Sequence, residues 1–179
     1  MSLTLFLFTG FIGVLLVTFL KRPLINLLGE DNFLINRLKN AEWFQNYWLA
    51  GLFLFNMNAI LFFSTTVIIY LLSYFLIPYV HLLVMVLAVI GSIFLWIILN
   101  KTWQGTKRNR LKLAVIGSSF YLILSLMLIY MLVTLEPSFP GDDPFMRAIG
   151  IFFGIVVTTV AFISCFIFTG FSKTIDERT

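Results

Sequence analysis

Five long apolar segments of this chain contain no Asp, Glu, Lys or Arg residue. A helix needs about 20 mostly apolar residues to cross the roughly 30 Å hydrocarbon core of a bilayer. The segments have 18 to 30 residues, so each one meets this length or comes close to it. They cover residues 3–20, 47–76, 79–99, 113–135 and 148–171. The sequence therefore predicts an all-α integral membrane protein, a bundle of five transmembrane helices.

The composition excludes a soluble globular protein. Hydrophobic residues make up 60% of the chain and charged residues 11%, whereas soluble domains have about 45–50% apolar and about 25% charged residues. The longest connector, residues 21–46, has 26 residues and is too short for a domain of its own. The apolar segments are continuous rather than alternating, which favours helices over a β-barrel. Residues 1–179 are therefore predicted to form one transmembrane domain.

The positions of Lys and Arg predict the orientation, because cytoplasmic connectors of membrane proteins are rich in both residues. With alternate connectors on the same side, 11 of the 12 basic residues fall on one side and only Arg147 on the other. We therefore expect an external N-terminus and a cytoplasmic C-terminus. Lys21 and Arg22 follow the first segment and no basic residue precedes it, so we expect a retained helix rather than a cleaved signal peptide.

The connector 21–46 is predicted to contain a short amphipathic helix on the inner membrane surface, after a cap at Asp31. Its apolar residues recur at helical spacing, and they are Leu34, Leu38, Ala41 and Phe44. Two interpretations remain open. The helix docks anionic lipid or a cytoplasmic partner, or it is a basic connector that determines topology.

The connector 100–112 carries a second basic cluster. Each basic residue beside an anionic leaflet contributes about 1 kcal/mol of attraction. We therefore expect contact with lipid headgroups or a partner protein at Lys107, Arg108, Arg110 and Lys112. Trp103 is expected at the membrane interface. No nucleic acid is expected as a partner, because no folded surface with stacking aromatic residues surrounds the cluster.

Polar groups are rare within the apolar segments, and Asn56, Asn58 and Thr65 are the notable ones in the second segment. The two Asn residues face nearly opposite sides of a helix, and Asn58 shares a face with Thr65. Amides within membrane helices usually bond to neighbouring helices. We therefore favour adhesion between helices over substrate binding.

Small residues form a stripe along the fifth segment. Gly150 and Gly154 are followed on the same face by Thr158 and Ala161. Such stripes allow close approach of another helix. The stripe is expected to pack the bundle internally, and the joining of two copies is the alternative.

The external connector contains the acidic residues Glu136, Asp142 and Asp143. Asp143 followed by Pro144 is typical of a helix N-cap followed by proline at the first helical position. A cation site is the alternative, although no EF-hand-like spacing is present. We expect no metal, no cofactor and no catalytic residue. The sequence has no His-Glu-x-x-His or Gly-x-Ser-x-Gly motif and no phosphate-binding glycine loop.

Three functional hypotheses follow. The preferred one is a non-catalytic accessory, assembly or regulatory subunit of a membrane complex, with a membrane-protein partner or self-association. The second is a facilitator or channel for a small neutral or lipophilic solute. Its lining would come from Asn56, Asn58, Ser64, Thr65, Thr66, Ser118, Ser119 and Ser125. The third is a lipid-modifying enzyme that uses the acids of the external connector. The abundance of Ile, Leu and Phe suggests a bacterial plasma membrane.

Overall fold

The structure, a computed structural model, describes residues 33–76, 79–137 and 144–171. These residues form five α-helices and one 3-10 helix, and they contain no β-strand. The helices are α1 (Phe33–Lys39), the 3-10 helix (Glu42–Gln45), α2 (Tyr47–Tyr74), α3 (Val80–Thr102), α4 (Lys107–Val133) and α5 (Phe145–Gly170).

Four of these helices, α2 to α5, are long enough and apolar enough to cross a membrane. They overlap the last four apolar segments of the sequence, so the prediction of an all-helical fold with helices of membrane-spanning length is confirmed for the described residues. The first predicted segment, residues 3–20, lies outside the described residues, as do the predicted cap Asp31 and the acidic residues Asp142 and Asp143.

Two helix starts differ from the limits of the apolar segments. Helix α4 begins at Lys107, six residues before Leu113. The hydroxyl of Thr106 caps this start by accepting a hydrogen bond from the backbone N–H of Asn109 at 3.4 Å. The cap allows the polar residues before Leu113 to form the first helical turns. At the start of α5, Pro144 itself occupies the N-cap position. The prediction that it is the first helical residue is therefore wrong by one position.

The predicted amphipathic helix is present in a shortened form. Helix α1 ends at Lys39, and the 3-10 helix follows after a break at Asn40 and Ala41. This segment packs against α3 and the start of α2. Ile35 and Phe44 are the buried side chains within it. Leu38 and Ala41 also pack against the hydrophobic core, so the expected face is confirmed at Leu38, Ala41 and Phe44. The side chain of Leu34 lies outside the described residues.

The four long helices surround a shared interior. Helix α4 packs along both α2 and α5, and α3 contacts the same two helices. We call the end where α2 and α4 begin and α3 and α5 end the basic end. Lys107, Arg108, Arg110 and Lys112 lie there on α4, whereas Arg147 lies at the far end.

Burial is concentrated in the half of the bundle nearest the basic end. The buried residues of α2 precede Ala59, and those of α3 follow Leu95. Towards the far end, most side chains of α3 are exposed, including Leu83 at 61% and Val86 at 55%. One face remains half-buried, at His81, Val84 and Ala88. Burial is therefore greatest near the basic end, whereas in the far half α4 and α5 stay in contact at Leu128 and Gly154 and α3 is more exposed.

Two glycines allow the close contact between α2 and α4. A Cβ atom added to Gly51 would lie 2.9 Å from Cβ of Ile116, and one added to Gly117 would lie 2.3 Å from Cδ2 of Leu54. Each helix thus inserts an aliphatic side chain over a glycine of the other. This reciprocal packing brings the two backbones close together in the half of the bundle nearest the basic end.

Candidate functional site

Each of the four long helices contributes one side chain to a buried polar cluster. Asn58 of α2 and Cys165 of α5 are fully buried, and Trp96 of α3 and Tyr121 of α4 are nearly so. The rings of Trp96 and Tyr121 meet edge to face with centroids 6.2 Å apart. We call these four residues the central cluster. It joins α3 to α4 across the interior of the bundle.

The amide of Asn58 organises the central cluster. Its Nδ2 donates to the backbone carbonyl of Gly117 at 3.1 Å and lies 3.7 Å from Sγ of Cys165. Its Oδ1 accepts from Nε1 of Trp96 at 3.1 Å and lies 3.5 Å from the hydroxyl of Tyr121. One amide therefore bonds to all three neighbouring helices, and both of its polar atoms have partners.

This arrangement holds helices together rather than exposing reactive groups. A hydrogen bond between membrane helices contributes about 0.6 kcal/mol on average, whereas a buried polar group left without a partner costs about 1–3 kcal/mol. Cys165 has no exposed surface, so its thiol lacks access to reagents or ligands. The geometry of Asn58 is that of a helix-to-helix contact.

The other polar residues predicted in α2 lie elsewhere. Asn56 is exposed on the outer face of the helix and makes no hydrogen bond through its side chain within the described part of the chain. Thr65 is half-buried, and its hydroxyl donates to the carbonyl of Leu61 in its own helix at 2.7 Å. The structure therefore does not bring Asn56, Asn58 and Thr65 together.

The residues proposed to line a channel do not face one common space. Ser118 is buried and Thr66 is exposed. The hydroxyls of Thr66 and Ser119 donate to carbonyls of their own helices at 2.9 and 2.6 Å. Ser125 instead shares a hydrogen bond with Thr159 at 3.3 Å. In the described bundle these polar groups are spread over interior and outer surfaces.

The small-residue stripe of α5 has two different environments. A Cβ atom added to Gly154 would lie 3.0 Å from Cδ1 of Leu128, so α4 comes close there. A Cβ atom added to Gly150 would have no neighbour within 4 Å. Thr158 is buried with its hydroxyl on the carbonyl of Gly154 at 2.8 Å, and Ala161 packs against the core. Gly154, Thr158 and Ala161 thus lie within the bundle, whereas Gly150 faces open space.

Two amide side chains at the basic end, those of Gln45 and Asn100, were not singled out by the sequence. Gln45 donates to the carbonyls of Lys39 at 3.1 Å and Thr102 at 3.4 Å, and accepts from the N–H of Gln104 at 3.1 Å. It therefore fastens the 3-10 helix to the end of α3. The only sequence signal was a polar residue among aromatic ones, which is a weak indication.

Asn100 and Trp103 complete this end of α3. The amide of Asn100 donates to the carbonyl of Phe168 and so links α3 to α5. Trp103 is only 4% exposed and belongs to the hydrophobic core. The loop after α3 turns the indole into the protein, and the expected depth of Trp103 at the membrane interface stays a prediction.

The four basic residues of α4 differ in surroundings. Lys107 and Arg108 are exposed. Nζ of Lys112 lies 5.0 Å from the ring centroid of Tyr47, a cation–π contact. Arg110 is half-buried, and its Nη2 donates to the carbonyl of Trp103 at 2.7 Å. Arg110 is thus the one of the four that is built into the protein.

The external connector offers little chemistry in its described part. Glu136 is exposed, and its backbone carbonyl accepts a hydrogen bond from Nη2 of Arg147 at 3.3 Å. Asp142 and Asp143 lie outside the described residues. Within the described ranges, no group of three His, Cys, Asp or Glu side chains is placed to hold a metal ion.

Fold and site together define an all-helical chain with four helices able to cross a membrane and a polar cluster that joins them. No family model, curated protein or solved structure matches this chain.

Proposed function

We propose that this protein is a non-catalytic accessory, assembly or regulatory subunit of a complex in a bacterial plasma membrane. In this proposal it binds another membrane protein, or a second copy of itself, through the outer face of α2. The observation that carries the proposal is the exposed amide of Asn56 in the middle of an apolar surface.

Asn56 lies within the predicted hydrocarbon region. It lies nine positions after Tyr47, the first residue of α2, which corresponds to about 14 Å along the helix axis. An amide without a hydrogen-bond partner in hydrocarbon costs several kcal/mol on transfer scales. A partner helix with a polar side chain or an accessible carbonyl at this depth would remove part of that cost.

The neighbours of Asn56 form a continuous outer face. Residues at helical spacing before and after it are exposed, namely Leu52, Ile60 and Phe63. We call these three residues and Asn56 the Asn56 stripe. An apolar stripe with one central amide is suited to a helix–helix contact, because the apolar side chains pack and the amide sets the register.

The proposal includes five membrane crossings with the basic end in the cytoplasm. It is supported by the four long helices and by the basic residues of α4 at one end of the bundle. Basic residues beside membrane helices favour the cytoplasmic side. The fifth crossing is residues 3–20, which the apolar composition alone supports.

The arrangement of polar groups favours this role over the solute-facilitator hypothesis. A path for a neutral solute needs polar side chains that face one space with free donors and acceptors. The Asn58 amide is instead occupied by bonds to Gly117 and Trp96, and the hydroxyl of Thr65 bonds to its own helix. The accessory role needs no such path.

The test compares the variants Asn56→Leu and Thr66→Val in the full chain. Both remove an exposed polar group from α2, but the hydroxyl of Thr66 already has a partner within its helix. Differently tagged copies are co-expressed in a bacterial host and extracted in mild detergent. Cross-linking and affinity capture then measure association with the second copy and with other membrane proteins.

We expect Asn56→Leu to reduce the captured partner several-fold while Thr66→Val leaves it unchanged. The thermal stability of the isolated Asn56→Leu chain should match or exceed that of the wild type, because the amide makes no bond within the described bundle. Equal capture by Asn56→Leu and wild type would overturn the proposed interface. The accessory role would be overturned if the wild-type chain is monomeric and captures neither a second copy nor another membrane protein.

A further inference from the structure

Two nitrogen donors at the basic end are buried without a hydrogen-bond partner. They are Nε1 of Trp103 and Nη1 of Arg110. Folded proteins pair the great majority of buried polar atoms, with protein groups or with bound water. A buried donor without a partner costs about 1–3 kcal/mol, and more when the group is charged. Two such donors in side chains of residues that contact one another indicate a ligand.

Trp103 begins the short connection between α3 and α4, and Arg110 lies in the first turn of α4. Nη2 of Arg110 donates to the carbonyl of Trp103 at 2.7 Å, so the guanidinium lies against the backbone of this residue. The indole of Trp103 folds over Gly105, where an added Cβ would lie 2.5 Å from Cζ2 and 3.1 Å from Nε1. The hydrogen bond from Arg110 therefore joins the two ends of this connection, and the indole of Trp103 packs against Gly105 within it.

The electrostatic surroundings favour an anion. The loop leads into the N-terminus of α4, whose backbone N–H groups and helix dipole attract negative charge. Lys107 and Arg108 lie in the first turn. Glu42 is the one carboxylate that the described residues place at the basic end, and it is exposed.

We propose that Trp103 and Arg110 form a binding site for a single phosphate group. In this site Nε1 of the indole and Nη1 of the guanidinium donate to phosphate oxygens. Hydrogen bonds from guanidinium to phosphate are among the stronger ones in proteins because both partners are charged. The same chemistry is offered by the headgroup of an anionic phospholipid and by free phosphate. The inference requires a membrane location but not the accessory role.

Binding involves a movement of the loop. Protein atoms cover both nitrogens, so a phosphate reaches them when the indole shifts from Gly105. The connection between α3 and α4 has only four residues, 103–106.

The experiment measures thermal unfolding of the full chain in a phosphate-free, non-ionic detergent by circular dichroism. The probes are dihexanoyl phosphatidylglycerol, dihexanoyl phosphatidylcholine and sodium phosphate, each added over a range of concentrations. The variants are Trp103→Phe, which keeps the ring and loses the N–H, and Arg110→Gln. The matched controls are Trp43→Phe and Arg108→Gln, because Trp43 and Arg108 are exposed at the same end.

We expect phosphatidylglycerol to raise the unfolding temperature of the wild type, since a ligand stabilises the state that binds it. Trp103→Phe and Arg110→Gln should weaken the apparent affinity about tenfold or more, and the two controls should change it little. Without any probe, Trp103→Phe should be at least as stable as the wild type, because it removes a donor that has no partner.

The remaining outcomes either identify the source of the phosphate group, a lipid headgroup or free phosphate, or overturn the proposal. An equal effect of sodium phosphate assigns the site to free phosphate, and an effect of phosphatidylglycerol alone assigns it to a lipid headgroup. The proposal is wrong if none of the probes stabilises the wild type. It is also wrong if Trp103→Phe retains the full response, or if Arg108→Gln loses as much as Arg110→Gln.

Discussion

The side-chain amide of Asn58 on α2 donates to the backbone carbonyl of Gly117 on α4 at 3.1 Å. The same glycine makes room for Leu54, one helical turn before Asn58, because its missing Cβ would lie 2.3 Å from Cδ2 of Leu54. Close packing and a polar contact are therefore coupled at one position. The absence of a side chain at Gly117 brings α2 near enough for its amide to reach the carbonyl.

Replacing Asn58 by Leu should destabilise the bundle. The change removes the acceptor of the Trp96 indole and the donor to the carbonyl of Gly117. We expect a loss of about 1–3 kcal/mol in the free energy of unfolding, since buried polar groups remain without partners. Unfolding in increasing SDS, followed by circular dichroism, measures this loss. Asn56→Leu is the control and should lose nothing, and similar losses for both variants would contradict the role of Asn58.

Replacing Gly117 by Ala should also destabilise the protein, because the new methyl group collides with Leu54. Overpacking of this kind costs about 1–3 kcal/mol. Gly150→Ala is the matched control, since a Cβ there meets no atom within 4 Å. The double variant with Leu54→Ala should lose less than the sum of the two single changes. Strict additivity in the SDS unfolding experiment would show that the two residues do not contact one another.

Replacing Gln45 by Ala should release the segment that precedes α2. Its side chain bonds to Lys39, Thr102 and Gln104, and no apolar residue can replace these contacts. We expect amides around the 3-10 helix to exchange with deuterium several-fold faster while those of α4 keep their protection. Gln104→Ala is the control, because only the backbone of this residue takes part. Unchanged exchange in the Gln45→Ala variant would refute this role.

Cys165 should resist thiol reagents in the folded protein. Its side chain has no exposed surface and lies against the amide of Asn58. We expect a membrane-permeant maleimide to label it only after denaturation in SDS. In a Cys165→Ala background, Arg108→Cys should be labelled without denaturation, because Arg108 is exposed at the basic end. Mass spectrometry quantifies both reactions, and rapid labelling of Cys165 in the folded chain would show that the central cluster opens.

Much of the architecture was predictable from the sequence. The apolar segments anticipated α2 to α5, because the cost of unpaired backbone groups in lipid leaves helices as the only continuous solution. The helix ends were less predictable. The extension of α4 to Lys107 depends on the cap at Thr106, a local hydrogen bond that the apolar pattern does not register.

The candidate sites were predictable in residue type but not in arrangement. The amides of α2 were recognisable as polar groups within an apolar segment. The partners of Asn58 were not recognisable in the sequence, because Trp, Tyr and Cys residues such as Trp96, Tyr121 and Cys165 are common in membrane helices. The buried position of Trp103 was likewise missed, since a Trp after an apolar segment usually lies at the interface.

Asn56 and Asn58 show what the sequence determines and what the tertiary structure determines. The sequence by itself determined that the chain folds into membrane-length helices and that these two amides face nearly opposite sides of α2, because composition and helical periodicity require no knowledge of neighbours. Only the tertiary structure decided which amide is buried, because that depends on which face of α2 meets Gly117 on α4. The packing of side chains between distant segments selects the face, and no local pattern contains that information.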